Sequence, residues 1–141
     1  MSEQVKDSIE IKVVTPKGVS LTDTAYFAKV PGVVGEIGIY PNHSATLAQL
    51  KTGEFEIKKD GHIDHFFLSD GMAHITENTL TVLTPYLEKV SEIDIKRAKA
   101  AKERAEKQLS EKESDNKEEI KKALTRAEIR IELYQKYHID T

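Results

Sequence analysis

Thr79-Leu-Thr-Val-Leu-Thr-Pro-Tyr-Leu-Glu-Lys-Val-Ser-Glu-Ile-Asp-Ile-Lys-Arg-Ala-Lys-Ala-Ala-Lys-Glu-Arg104 is where the chain changes period. Residues 79–83 close a series of short strands, and Pro85 ends the sheet pattern. From Ser91 the signals turn helical. Ser91 reads as an N-cap with Asp94 as the acid at N3, and Val90 with Ile95 can form the hydrophobic staple. The first helix then runs to about Leu109. Its small face is Ala98, Ala101 and Ala105, and Arg97 and Arg104, seven apart, share a face beside those alanines.

After a polar loop over 110–116, Asp115 and Glu118 have capping-box spacing. The second helix carries Ile120, Leu124, Ala127, Ile131 and Tyr134, spaced four, three, four, three, as one apolar seam. Arg126 and Arg130 lie a stripe to its side. The expected product is an antiparallel two-helix hairpin, each helix roughly 28 Å long at ~1.5 Å per residue. Its seam is thin, and a lone pair of this size is marginal in water. It has to dock, bind a ligand or hand its seam to another protein, which makes it a plausible two-state element.

All four arginines of the chain fall in this helical pair, and none occurs in residues 1–90 although eight lysines do. Arg grips phosphate or carboxylate in a fixed two-pronged geometry, whereas Lys acts as a point charge. Two readings of the bias stand: a site, or good helix formers on a wet face.

Upstream of Pro85 the pattern is strands. Ile9, Ile11 and Val13 alternate with Glu10 and Lys12. Thr15-Pro16-Lys17-Gly18 is a turn, strands follow over 19–21 and 25–30, and Pro31-Gly32 breaks the latter. Further strands are expected over 45–50, 55–58, 63–69, 72–75 and 79–83. Lys59-Asp60-Gly61-His62, Asp70-Gly71 and Glu77-Asn78 mark the turns between them. Short strands with turns about every ten residues mean an all-β sandwich or barrel. The 88 or so residues involved can bury a modest core.

The chain has 141 residues and a formal net charge of −3. Residues 1–90 hold eight Lys and twelve acids; the remainder holds thirteen Lys or Arg and twelve acids. Neither part is basic enough to argue for nucleic acid or an anionic membrane. Lys96, Lys99 and Lys102 form a basic stripe, but without interleaved aromatics it is a solvated face. No Cys is present, so disulfides and thiolate metal sites are excluded. No apolar run approaches the ~20 residues needed to span a bilayer, and the opening residues lack a signal-peptide core. A soluble protein of a reducing compartment is expected, meeting a membrane only through partners.

Few stretches suggest chemistry. Residues 32–43 are glycine-dense, yet no Gly-Lys-Ser/Thr ending and no following helix make them a phosphate loop. They read as a surface loop with a buried bend that exposes Glu36 and His43. His62, His65 and His74 lack the three- or four-ligand arrangement of a zinc site, since strand residues three apart point to opposite faces. No metal is expected. No serine sits in a nucleophile elbow, so no independent catalysis is expected.

Gly35-Glu36-Ile37-Gly38-Ile39-Tyr40-Pro41-Asn42-His43, the turn at 15–18 and Leu68-Ser69-Asp70-Gly71 together resemble the epsilon subunits of bacterial F-type ATP synthases. The likeness spans nearly the whole chain. It implies an α+β two-part fold: a ten-stranded antiparallel β-sandwich over 1–88, then an antiparallel two-helix hairpin over 89–141. It implies a non-catalytic rotor component at the cytoplasmic face of the bacterial cell membrane, peripheral and held there by the complex. Implied partners are the gamma subunit and the membrane rotor ring, with Glu36 facing the ring and His43 near the gamma contact. The hairpin would fold down on the sandwich to permit turnover. Extended, it would reach the alpha and beta subunits and block ATP hydrolysis.

Ile93-Asp94-Ile95-Lys96-Arg97-Ala98 is similar to the Ile/Leu-Asp-x-x-Arg-Ala motif of bacillus-type members that bind ATP as a regulatory ligand. The likeness implies an ATP site from Glu88, Asp94, Arg97, Ala98, Arg104, Arg126 and Arg130. Guanidinium groups from both helices would clamp the phosphates, Asp94 and Glu88 would accept from adenine or ribose, and Ala98 would admit the base. Whether Mg²⁺ accompanies the nucleotide is open. Two alternatives stand beside this: a hairpin that only contacts the catalytic head, and a free-standing sandwich adaptor.

Overall fold

A computed structural model describes residues 7–111 and 116–138. The chain divides into two compact units, Met1–Leu87 and Glu88–Thr141. The strands are β1 (Ile9–Thr15), β2 (Gly18–Ala25), β3 (Phe27–Gly32), β4 (Gly35–Ile39), β5 (Thr46–Leu50), β6 (Gly53–Lys59), β7 (His62–Ser69), β8 (Gly71–Thr76), β9 (Thr79–Leu83) and β10 (Tyr86–Lys89).

They follow one hydrogen-bonded path, β10-β7-β6-β3-β5-β8-β9-β1-β2, with β4 attached to β3. The pair Gly32 and Leu50 joins β3 to β5, and there the path folds over into two layers. Alternate residues of each layer turn inward. Ile11, Val13, Ile75, Leu80 and Val82 meet Ala28, Val30, Phe55, Ile57 and Leu68 in one core. Phe55 and Phe66 add a tilted ring contact, centroids 5.7 Å apart. The ten-stranded sandwich is therefore present. The arrangement is not all antiparallel: β1 and β9 run parallel, Ile11 beside Leu80. These strands lie at opposite ends of the unit's sequence, so no tight turn dictates their direction.

Turn chemistry explains the hairpins. Asp60-Gly61 joins β6 to β7 in a two-residue loop, with Lys59 opposite His62 and Gly61 at φ 86°. Glu77 and Asn78 take φ 47° and 60° between β8 and β9, the two positive values of a type I′ turn.

Four sequence readings are corrected. The strand expected over 25–30 divides at Tyr26, and Pro31-Gly32 continues β3 rather than breaking it. Residues 35–39 are not loop: they form β4, folded back on β3 across Val33-Val34, with Pro31 opposite Glu36. Pro85 does not end the sheet, because β10 follows it. Only Ile39 of β4 is buried, so the strand lacks the alternation that would reveal it.

The second unit opens with a 3-10 turn, Val90–Glu92, followed by α1 (Ile95–Ser110) and α2 (Lys117–Tyr137). Ser91 lies within the turn and is not the cap. Asp94 is, its Oδ1 accepting from the backbone N of Arg97 at 3.1 Å. The staple positions accordingly shift from Val90 and Ile95 to Ile93 and Ala98, both buried. The expected Asp115 cap lies outside the described residues. The helices pack on one another through Ala98 and Ala105 of α1 and Ala127 and Leu133 of α2. Ile120, Leu124, Ile131 and Tyr134 are half-buried, so the seam is real but centred nearer Leu133 than its spacing implied.

Candidate functional site

The helical unit holds all seven residues expected to bind ATP. Asp94 and Arg97 meet at the start of α1, where the Asp94 carboxylate caps the helix. Ala98 follows, buried at the seam. Arg97 and Arg104 are exposed on α1, whereas Arg126 and Arg130 on α2 are half-buried.

One contact joins the two ends of this set. Arg130 Nε donates to Glu88 Oε1 at 2.5 Å. The guanidinium comes from the C-terminal half of α2, the carboxylate from β10, two residues before the Val90–Glu92 turn. The α2 helix also touches that turn itself. The second helix therefore returns antiparallel to the start of the first. Chemically the unit offers guanidinium groups on both helices, that of Arg130 paired with Glu88, and a carboxylate fixed at a helix N-terminus.

The two residues expected to contact partners lie in the sandwich. Glu36 stands on β4 beside the β3–β4 tip, where Val34 is 96% exposed. Its carboxylate holds Lys29 Nζ at 3.0 Å. That bond raises the Lys29 pKa above its ordinary value, with added pull from Glu56 and Glu54 and with burial opposing. His43 is half-buried, and its Nδ1 lies 2.7 Å from the Ser44 carbonyl oxygen. The neighbouring Asn42 backbone N donates to Asn78 Oδ1 at 2.5 Å, pinning this loop to the β8–β9 turn.

The three histidines weighed as metal ligands do not converge. His62 pairs loosely with Asp64, Nε2 to Oδ1 3.6 Å, and His74 is exposed on β8. His65 instead meets two carboxylates that sequence reasoning passed over, Glu54 and Glu56, with one ligand atom from each within 4.8 Å of the others. The signal was present. A two-residue Asp-Gly loop fixes register, and counting back from Lys59 opposite His62 puts Glu56 opposite His65.

Among the described residues, no helix is long and apolar enough to cross a membrane.

Comparison with known proteins covers both units. Residues 8–90 match the family model for the beta-sandwich domain of the ATP synthase delta/epsilon chain. Residues 91–135 match the model for its long alpha-helix domain. The ATP synthase epsilon chain of Geotalea daltonii is 36% identical over 129 residues, covering 90% of this chain and 94% of that one. The ATP synthase epsilon chain of Lawsonia intracellularis is 38% identical over 105 residues, covering 74% and 79%. Among solved structures, a chain of the Euglena gracilis mitochondrial ATP synthase OSCP/F1/c-ring assembly superimposes with TM-score 0.79 at 21% identity, covering 91% of this chain and 82% of that one. At that identity the likeness concerns the fold.

Proposed function

The chain belongs to the ATP synthase delta/epsilon family, and we propose that its helix pair is an ATP-sensing brake on the synthase. The family role is that of a non-catalytic epsilon subunit in the central stalk. The sandwich would seat on the gamma subunit and the membrane rotor ring. Exposed Val33, Val34 and Glu36 at the β3–β4 tip suit the ring, and the pinned loop at His43 suits gamma. The protein would lie peripherally at the cytoplasmic face of the cell membrane, held there by the complex.

ATP would bind the closed helix pair, with Arg97 and Arg104 from α1 and Arg126 and Arg130 from α2 on the phosphates. Asp94 and Glu88 would accept from ribose or adenine, and Ala98 would leave room for the base. The single observation behind this reading is the Arg130–Glu88 bond. In it a guanidinium of α2 reaches the segment preceding α1, which supports a site drawn from both helices.

Linkage supplies the mechanism. A ligand that binds only the closed pair stabilises it by RT ln(1 + [L]/Kd), about 1.4 kcal/mol at ten times Kd. That is enough to tip a marginal two-helix element. When ATP falls, the pair opens, extends toward the alpha and beta subunits and blocks hydrolysis. Calorimetric titration of the full chain with ATP, with and without Mg²⁺, tests this. Binding should be seen in the wild type and lost in an Arg97→Ala, Arg126→Ala double variant; equal heats overturn the reading.

A second reading keeps the brake without the nucleotide. The exposure of Arg97 and Arg104 equally suits an acidic protein surface. Loss of braking in the double variant despite no ATP heat in the wild type would favour it.

A further inference from the structure

The geometry points to a zinc-binding site on the outer face of the β6–β7 hairpin, formed by Glu54, Glu56 and His65. It is independent of the ATP reading, and its failure would leave that reading untouched.

Glu54 and Glu56 are two apart on β6 and so emerge on one face, opposite to Phe55 and Ile57 in the core. His65 stands directly across the ladder from Glu56. Its Nδ1 is 2.8 Å from Glu54 Oε2 and 3.7 Å from Glu56 Oε1. Two ligands bound at ~2.1 Å to a tetrahedral ion sit roughly 3.4 Å apart, a spacing between these two distances. The three ligand atoms already lie within 4.8 Å of one another, so closing on an ion takes side-chain movement with the strands left in place. The three side chains are 23%, 14% and 16% exposed for His65, Glu54 and Glu56. They are sheltered enough to hold their directions and open enough to leave water at the fourth position.

The donor set selects the ion. One imidazole with two carboxylates suits zinc and its neighbours, whereas Mg²⁺ and Ca²⁺ favour all-oxygen shells. A carboxylate only accepts, so the tautomer in which His65 donates to Glu54 carries its proton on Nδ1. On zinc binding that proton leaves Nδ1, to Nε2 of a neutral ring or to water, and the lone pair turns to the metal.

Lys29 is the built-in competitor. Its Nζ bonds Glu36 at 3.0 Å and lies 3.5 Å from Oε2 of Glu56, leaving Oε1 toward His65. Its charge opposes a second cation on the same carboxylate, so removing it should tighten the site.

Zinc titration calorimetry of the full chain, in a buffer that does not chelate, is the test. One ion per chain is expected. Glu54→Gln and His65→Gln should each weaken binding by more than about tenfold, the level at which even outer-shell partners act. Lys29→Met should strengthen it. In parallel, ¹⁵N NMR of the wild type should show the His65 ring responding first to zinc, ahead of His43, His62, His74 and His138. Metal-free melting curves establish that each variant is folded; if one is not, the wild-type NMR decides. Absence of binding, equal affinity in the folded ligand variants, weaker binding in Lys29→Met or a response only at other histidines each overturns the proposal.

Discussion

Arg130 Nε donates to Glu88 Oε1 at 2.5 Å across 42 positions of sequence, fastening the C-terminal half of α2 to the strand residue two positions ahead of the Val90–Glu92 turn. The side chains are 22% and 38% exposed, so water screens the pair. A double-mutant cycle with Arg130→Met and Glu88→Gln should give a coupling of about 0.5–1 kcal/mol, falling as salt rises. Urea unfolding followed by the far-ultraviolet helix signal measures it. Coupling near zero at low salt would mean that the bond does not hold the helices.

Asp94, not Ser91, caps α1, its carboxylate accepting from the free N–H of Arg97. Asp94→Ala should cost the helical unit about 1 kcal/mol and speed exchange of the first-turn amides. Ser91→Ala should do neither. Equal effects of the two changes would count against the observed cap.

Gly71 has φ 127°, and a Cβ placed there would lie only 1.9 Å from the Leu83 carbonyl oxygen. Both the backbone conformation and the β8–β9 approach exclude a side chain. Gly71→Ala should destabilise the sandwich by at least about 3 kcal/mol, combining strain with a clash that only backbone movement relieves. Gly61→Ala faces open space and should cost less. Chemical denaturation of both variants gives the comparison.

Two lysines set the alkaline limb of stability. A bond to Glu36 raises the Lys29 pKa, and a bond to Asp23, aided by one to Asp64, raises that of Lys59. The folded state holds both protons more tightly than the unfolded chain does. Their contribution is therefore complete below the ordinary value of 10.5 and is lost as pH climbs through the raised folded values. Stability should fall above pH 10.5 in the wild type and fall less steeply in a Lys29→Met, Lys59→Met variant that is weaker at neutral pH. Parallel alkaline limbs would remove these lysines from the explanation.

The proposed nucleotide site carries its own signature in hydrogen exchange. ATP should slow amide exchange in both α1 and α2 of the wild type, by roughly tenfold at ten times Kd, and leave the Arg97→Ala, Arg126→Ala variant unchanged. Protection confined to one helix would contradict a clamp drawn from two.

Local signals carried much of the architecture. Ile9, Ile11 and Val13, the Asp60-Gly61 loop and the Glu77-Asn78 turn are legible because period and turn chemistry act over a few residues. The helices are legible for the same reason, and so is the gathering of every Arg within them. β4 was not, because Gly35 and Gly38 interrupt any alternation and the strand exists by pairing with β3. Nor was β10, four residues long and directly behind a proline.

By itself the sequence determined which residue types recur at which spacing. From this follow two differently patterned parts, the turns between strands, and the lack of any cysteine or of an apolar run as long as a spanning helix. Tertiary structure alone decided that β1 lies parallel to β9, that Arg130 meets Glu88, and that His65 faces Glu54. Each depends on groups brought together from separate elements, where sequence distance says little about distance in space. In the His65 case the register was computable from a two-residue turn, but only the folded side chains show how closely nitrogen and carboxylates converge.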